Sequence, residues 1–235
     1  MSFTLNTLNS HEIETLNIEQ LLDAVLAGSQ AARACLTCSF QAEDIIVLDF
    51  LRKRLPQIPV LFRETGYHFA ETYKFRDRLA ADWNLNLVNV LPEKTVEQQE
   101  AERGLLYQSD PTACCQLRKV APLVKALEPF DVWFTGLRRE QSATRANLKK
   151  VEQHRLPSGK TLLKVSPLAD WKWAQVWEYT GGHRLAYLPL YDAGYPSIGC
   201  EPCTAIPADP GNVRSGRWGG RKLECGIHTF SERAE

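Results

Sequence analysis

A surplus of charge is missing from this sequence: 28 Lys+Arg stand against 28 Asp+Glu in 235 residues. That balance argues against a general nucleic-acid or membrane-surface binder. Long apolar runs are missing too; none approaches the ~18 residues that span a bilayer. The chain opens MSFTLNTLNS, with no basic segment ahead of an apolar stretch. No signal peptide is therefore expected, and the expected compartment is the cytoplasm, where stable disulfides are rare. Neither G-x-x-x-x-G-K-[ST] nor G-x-G-x-x-G occurs, which disfavours a Walker-type NTPase and a dinucleotide Rossmann site. Repeats and low-complexity tracts are absent. What is present is a core-forming composition, 44% hydrophobic and 24% charged, and a length that fits one large domain or a domain plus an appendage at ~100–200 residues per domain. Seven cysteines are also present. An odd number cannot pair fully, so they need another explanation.

The zero charge hides an asymmetry. Residues 1–50 hold seven acids and one base, so the remainder carries 27 bases against 21 acids. Residues 111–150 hold eight bases against three acids, and 212–222 (NVRSGRWGGRK) hold Arg214, Arg217, Arg221 and Lys222 with no acid. Two basic runs beside cysteine-rich segments favour an anionic ligand over a merely solvated face.

Strands are expected at 34–40, 58–62, 85–91 and 131–135, the first three followed by helical stretches: 43–55, 67–83, then 95–108 broken near Gly104 with a further helix over 114–127. This alternation predicts an α/β fold, a mostly parallel sheet with helices on both faces. Residues 151–155 and 161–165 read as a hairpin around Pro157-Ser158-Gly159. Asp170 is expected to cap a helix over 171–179. After Leu185 the chain is loop-rich. The expected division is an N-terminal helical segment (1–30), an α/β domain with the cysteine site (31–205) and a mobile C-terminal tail (206–235).

Ligands of such sheets bind at the carboxyl ends of strands. Four candidate loops lie there. Ser39–Asp44 precedes a helix and reads either as a phosphate-binding helix start or as a helix with Ser39 as its cap. Thr65-Gly66 follows the second strand. Gly136–Ser142 carries Arg138 and Arg139, a pair able to clamp an anion. The fourth loop is the cysteine region 111–119. Together they point to a nucleotide-like anion.

Cys114 and Cys115 are adjacent, and Cys200-Glu201-Pro202-Cys203 is a C-x-x-C. Two such pairs mean a four-thiolate metal site or a redox centre. Zinc needs four sulfurs on one point, whereas adjacent helical residues diverge by ~100°. An iron–sulfur cube offers each thiolate its own iron, so the adjacent pair favours [4Fe–4S] over zinc. Cys35 and Cys38 form a second C-x-x-C. On a strand they point to opposite faces and read as small buried side chains, with a zinc site shared with Cys200 and Cys203 as the lesser alternative. Cys225, in Glu224-Cys225-Gly226-Ile227-His228, follows basic residues that would lower its thiol pKa.

Ser39–Asp44, Thr65-Gly66 with Glu71-Thr72-Tyr73, Cys114–Val120 (CCQLRKV), Gly136–Gln141 (GLRREQ), Pro189–Pro202 (PLYDAGYPSIGCEP) and Lys222–His228 (KLECGIH) together resemble the adenylylsulfate/phosphoadenylylsulfate (APS/PAPS) reductases of sulfate assimilation. The likeness runs from about residue 35 to 228. It implies an adenine nucleotide alpha hydrolase-like fold with a modified PP-loop at Ser39–Asp44. It implies that Cys225 is the nucleophile, leaving AMP and a cysteine S-sulfonate from which thioredoxin or glutaredoxin releases sulfite. The resemblance further implies one [4Fe–4S] cluster per chain on Cys114, Cys115, Cys200 and Cys203. Substrate contacts are expected at Ser39, Thr65, Gly66, Lys119, Gly136, Arg138, Arg214, Arg217 and His228. Members with these four cysteines generally use APS and those without them PAPS, so APS is expected, with PAPS or dual use as the alternative. More distant alternatives are a non-catalytic iron–sulfur or zinc redox module and an ATP-pyrophosphatase-type adenylating enzyme. A homo-oligomer is compatible with the sequence. Two departures stand out: Arg63-Glu64 precedes Thr65-Gly66 where relatives often have Asp, and Gly219-Gly220 follows Gly216–Trp218 where many have aromatics.

Overall fold

The structure, a computed structural model, describes residues 8–28, 32–207, 214–222 and 224–228. The expected boundary at residues 30/31, and residues 208–213 and 229–235 of the expected tail, lie outside them. Two capped helices come first. In α1 (Ser10–Thr15) Asn9 accepts from the Glu12 N–H while Glu12 accepts from the Asn9 N–H. In α2 (Ile18–Leu26) Asn17 and Gln20 repeat the arrangement. Leu21, Leu22 and Val25 of α2 sit in the main core.

Alternation then follows as expected: β1 (Ala34–Thr37), α3 (Ala42–Arg52), β2 (Val60–Arg63), α4 (Ala70–Asp82), β3 (Leu87–Val90), α5 (Val96–Arg103) and α6 (Leu106–Ser109). Gly104, at φ 66°, ends α5, as its sequence position predicts. Next come α7 (Pro111–Cys115), a π-helical turn (Gln116–Val120), α8 (Ala121–Leu127) and β4 (Val132–Phe134). The hairpin is β5 (Val151–Arg155) and β6 (Thr161–Val165), followed by α9 (Trp173–Gly182). Asp170 does not cap α9. Its carboxylate pairs with the buried Lys150 Nζ at 2.8 Å, and the cap is Lys172, whose N–H donates to Gln175 Oε1 at 2.8 Å.

The sheet order is β3-β2-β1-β4-β6-β5, parallel except for the antiparallel β5–β6 hairpin. Both faces are covered. Ala34, Leu36 and Cys38 point into one core with Ile45, Leu48 and Phe62. Cys35 points into the other with Trp133, Leu123 and Leu162. Each fully buried Leu or Phe contributes about 1.5–3 kcal/mol. Strand order reverses between β1 and β4, and a crevice opens there at their carboxyl ends. Among the described residues no helix is long and apolar enough to cross a membrane.

Candidate active site

A cavity of about 330 Å³ occupies that crevice. Its floor is the β1–α3 loop. Phe40 adopts φ 59° there, a strained conformation for a bulky residue, of the kind that costs about 1–3 kcal/mol. Full burial and edge contacts with Phe62 (5.7 Å) and Phe75 (6.4 Å) hold it. The bend carries Ser39 into the cavity wall. Ser39 is not the helix cap; Gln41 is. The Ser39 N–H and Oγ–H both donate to Asp44 Oδ2, each at 2.6 Å. Burial raises the Asp44 carboxyl above its usual range, against the pull of these bonds.

The loop after β4 approaches α3 closely. A Cβ on Gly136 would collide with the Asp44 carboxylate and backbone, so only glycine fits. Arg138 also lines the cavity, but its guanidinium is engaged: Nε and Nη2 donate to Glu43 Oε1 at 3.1 and 3.0 Å, and Nη1 to Glu140 at 2.9 Å. The expected pair of clamping arginines is divided. Arg139 is not part of the cavity wall; it bonds Glu14 and the Leu148 carbonyl. The acid-rich N-terminus thus neutralises part of the basic run that follows it.

Thr65, after β2, reaches the cavity and also contacts Cys200 Sγ at 3.2 Å. Gly66, at φ +73°, lies outside the wall; its N–H donates to Glu64 at 2.8 Å. Arg118, buried, spans the loops behind it, donating to the Thr65 and Lys94 carbonyls and to Gln99 Oε1. Arg118 lies in the CCQLRKV segment but is not among the contacts expected from the sequence.

The four predicted cluster cysteines line one small pocket, with Tyr67, Tyr107 and Arg118. None forms a disulfide. Burial, then Cys115, Cys200 and Cys203, push the Cys114 thiol up to about 12. Among the described residues no three His, Cys, Asp or Glu converge in a way that could hold a single metal ion. A shared pocket of four thiols drawn from two cysteine pairs is a donor set of the kind that can serve several irons. Local backbone explains the convergence. Cys200 to Cys203 is a 3₁₀ turn, in which residues i and i+3 eclipse. After Cys115 the Ala121 N–H bonds back to the Gln116 carbonyl, five residues away. Lys119, four residues after Cys115, falls on the same side as that cysteine and lines the pocket.

Lys119, buried, lines both the thiol pocket and the large cavity. Burial opposes its charge, but the Cys200, Cys115 and Cys225 sulfurs outweigh it and raise its pKa. Arg217, 5% exposed, donates to the Cys203 carbonyl at 3.2 Å and lies 4.7 Å over the Trp218 ring. Gly199 makes room for it: a Cβ there would strike the guanidinium.

Residues 214–222 and 224–228 complete the wall with Arg214, Arg217, Cys225 and His228. Glu224 fastens them. Arg145 Nε and Nη2 donate to it at 3.0 and 2.8 Å, and Arg214 lies 3.7 Å away. Cys225 packs against the thiol cluster and Trp218. Burial alone would raise its thiol; Lys119, Arg63 and a bond from the Ile227 N–H hold it below the ordinary value instead. Gly226, at φ +90°, turns the chain so that His228 stacks on Trp133 at 5.4 Å. Burial, reinforced by Lys164 and Arg145, keeps the His228 ring neutral. Ser39, Thr65, Lys119, Gly136, Arg138, Arg214, Arg217, Cys225 and His228 therefore meet in one cavity, and Gly66 does not. Arg63 and Arg145 belong to it unforeseen, and Glu224, outside the wall, holds Arg145 and Arg214 in place. For Arg145 the only sequence signal was the basic run.

Residues 33–206 match the phosphoadenosine phosphosulfate reductase domain, and the chain belongs to that family. Within it, curated relatives include the adenosine 5'-phosphosulfate reductase of Bacillus cereus (strain B4264), 44% identical over 198 residues, covering 81% of this chain and 82% of the relative. That of Geobacillus thermodenitrificans (strain NG80-2) is 43% identical over 194 residues, covering 81% of both. The crystal structure of phosphoadenylyl-sulfate (PAPS) reductase from Candida auris, a phosphate complex, superposes with a TM-score of 0.69 at 25% identity, over 83% of this chain and 97% of that one. Candida glabrata FMN adenylyltransferase shares the fold (TM-score 0.59, 14% identity, 80% and 63% covered).

Proposed function

We propose that this chain reduces adenosine 5'-phosphosulfate to sulfite and AMP in sulfate assimilation, through an S-sulfonate on Cys225. The observation that carries the reading is Cys225 itself, a thiol held below its ordinary pKa at the wall of a cation-rich cavity. The thiolate is the attacking species. Its sulfur bonds the sulfuryl sulfur, the S–O bond to the phosphate breaks, and AMP leaves with that electron pair. Lys119, Arg214 and Arg217 face the charge that builds on the sulfuryl and phosphate oxygens. Neutral His228 offers a hydrogen bond there without competing for the thiolate. A dithiol protein, thioredoxin or glutaredoxin, then attacks the Cys225 sulfur. Sulfite departs, a mixed disulfide forms, and the second thiol of the partner resolves it, so the two electrons come from thiols.

Cys114, Cys115, Cys200 and Cys203 would hold a [4Fe–4S] cluster, which supplies fixed charge and a tie between the two cysteine segments rather than electrons. Lys119 and Arg217 offset the negative charge of four thiolates and transmit its field to the cavity. APS is favoured over PAPS because the two relatives named above, at 43–44% identity, are named adenosine 5'-phosphosulfate reductases. In this reading residues 206–235 are the catalytic tail, proposed to close on substrate and open to the reductant. The cytoplasm is the proposed compartment.

The test is to incubate the chain with APS without reductant and map adducts by peptide mass. An adduct of the mass of SO₃ on Cys225 is expected. One on Cys35 or Cys38, or none, removes the mechanism. Cys225→Ser is expected to abolish sulfite release while retaining visible iron–sulfur absorbance, and faster turnover of PAPS than of APS would reverse the substrate assignment.

A further inference from the structure

Six cations line the large cavity, and their partners differ. Arg138 faces Glu43, and Arg145 and Arg214 face Glu224. Arg217 is buried against Trp218 and the Cys203 carbonyl. Lys119 is shared with the thiol pocket. Among the described residues Arg63 has neither a carboxylate partner nor a side-chain contact of these kinds, and its Nε is buried without a hydrogen-bond partner. An arginine donor left unpaired in a cavity wall costs free energy unless a ligand satisfies it.

Its position limits which ligand. Arg63 is the last residue of β2, beside β1, and its backbone is fixed on both sides: it pairs with Val90 of β3, and its carbonyl is bonded by His68 Nε2 at 2.8 Å. It shares the wall of the large cavity with Asp44 of the β1–α3 loop and with Cys225 and His228 of the C-terminal segment. A nucleotide whose phosphate lies over that loop and whose terminal group meets Cys225 must pass its terminal group between these two points.

We infer that Arg63 is a substrate-contacting residue that binds the oxygens of the terminal, sulfuryl-bearing group of the nucleotide, and so distinguishes a phosphosulfate from a plain nucleoside monophosphate. The inference rests on the reductase reading. Its planar fork suits tetrahedral oxyanions. Removing it deletes contacts to the terminal group alone and leaves the adenosine and first phosphate with their own partners.

The test is equilibrium binding of AMP and ADP to the full-length chain, as isolated under anaerobic conditions; the ADP β-phosphate stands in for the sulfuryl group. Wild type is expected to prefer ADP. In Arg63→Met that preference falls roughly 10- to 100-fold, the range for losing a charge-assisted contact, with AMP affinity changed little. Should Arg63→Met fail to fold, Arg63→Lys serves, with a smaller fall of roughly threefold, because lysine keeps the charge but not the fork. An equal loss for both nucleotides would show that Arg63 only supports the loop, and no loss for either would show that it contacts neither; both outcomes overturn the inference. A wild-type chain that binds neither nucleotide would sink the reductase reading first and this inference with it.

Discussion

Cys35/Cys38 and Cys200/Cys203 share one spacing, C-x-x-C, and end in opposite situations. The first pair stands on and just after β1. Its side chains enter two different cores, Cys35 with Trp133 and Leu162, Cys38 with Phe40 and Phe62. Burial drives both thiols far above their ordinary value. The second pair brackets a 3₁₀ turn closed by the Cys203 N–H to the Cys200 carbonyl at 3.0 Å, and both thiols enter one pocket with Cys114 and Cys115. A C-x-x-C becomes a chelating pair when the backbone period returns at three residues, as in a 3₁₀ turn, and not on a strand, whose period is two. The motif string alone does not distinguish them.

The strongest way to break this contrast is to remove a thiol from the second pair. Cys200→Ser or Cys203→Ser should strip the chain of iron, measured by metal analysis. Sulfite release should fall beyond the roughly 100-fold that changes around a metal's ligands cost. Unchanged iron content in either variant would end the assignment of the pocket.

A smaller effect is expected where residues 214–228 are fastened. In Glu224 burial raises the carboxyl, but Arg145, Arg214 and the Thr144 hydroxyl outweigh it and hold it low. A depressed carboxylate contributes its stabilisation at and above its ordinary pKa and loses it as pH falls through the depressed value. Near neutrality the fastening is therefore fully formed. Glu224→Gln should raise KM roughly tenfold by weakening charged hydrogen bonds and flatten the acid dependence of docking, read by hydrogen exchange around Cys225. An unaltered exchange pattern would show that Glu224 does not hold this segment.

Much of this was legible in the sequence because it is local. The strand–helix alternation follows from apolar spacing and the α5 break from Gly104, whereas Cys225 among its cations would read as an incidental thiol without the family resemblance that makes it the proposed nucleophile. What was not legible depends on pairings across long stretches of chain. Arg138 meets Glu43 95 residues away, and Arg139 meets Glu14 at 125. No local pattern announces that two apparent anion clamps are already neutralised. Asp170 looked like a cap for α9 until Lys150 claimed it. The π turn at 116–120 is equally silent: its residues suit an ordinary helix, and only tertiary packing selects the wider closure. Arg63 read as a departure from a motif, and its place between the β1–α3 loop and Cys225 emerged only when β2 paired between β1 and β3.

The first cysteine pair sharpens the contrast with the smallest effect. Cys35 and Cys38 are each fully buried. Cys35→Ala or Cys38→Ala removes one buried sulfur and leaves a small void, which should cost about 1 kcal/mol in denaturant unfolding. Iron content and sulfite release should be unchanged, because neither side chain reaches the thiol pocket. The same burial predicts that a small alkylating agent labels Cys225 in the native chain and spares Cys35 and Cys38 until it unfolds, since burial keeps both as inert thiols while Lys119 and Arg63 favour thiolate at Cys225. Native labelling of Cys35 ahead of Cys225, or iron loss in either alanine variant, would mean that the strand-borne pair communicates with the site after all, and that the backbone period is not what separates the two motifs.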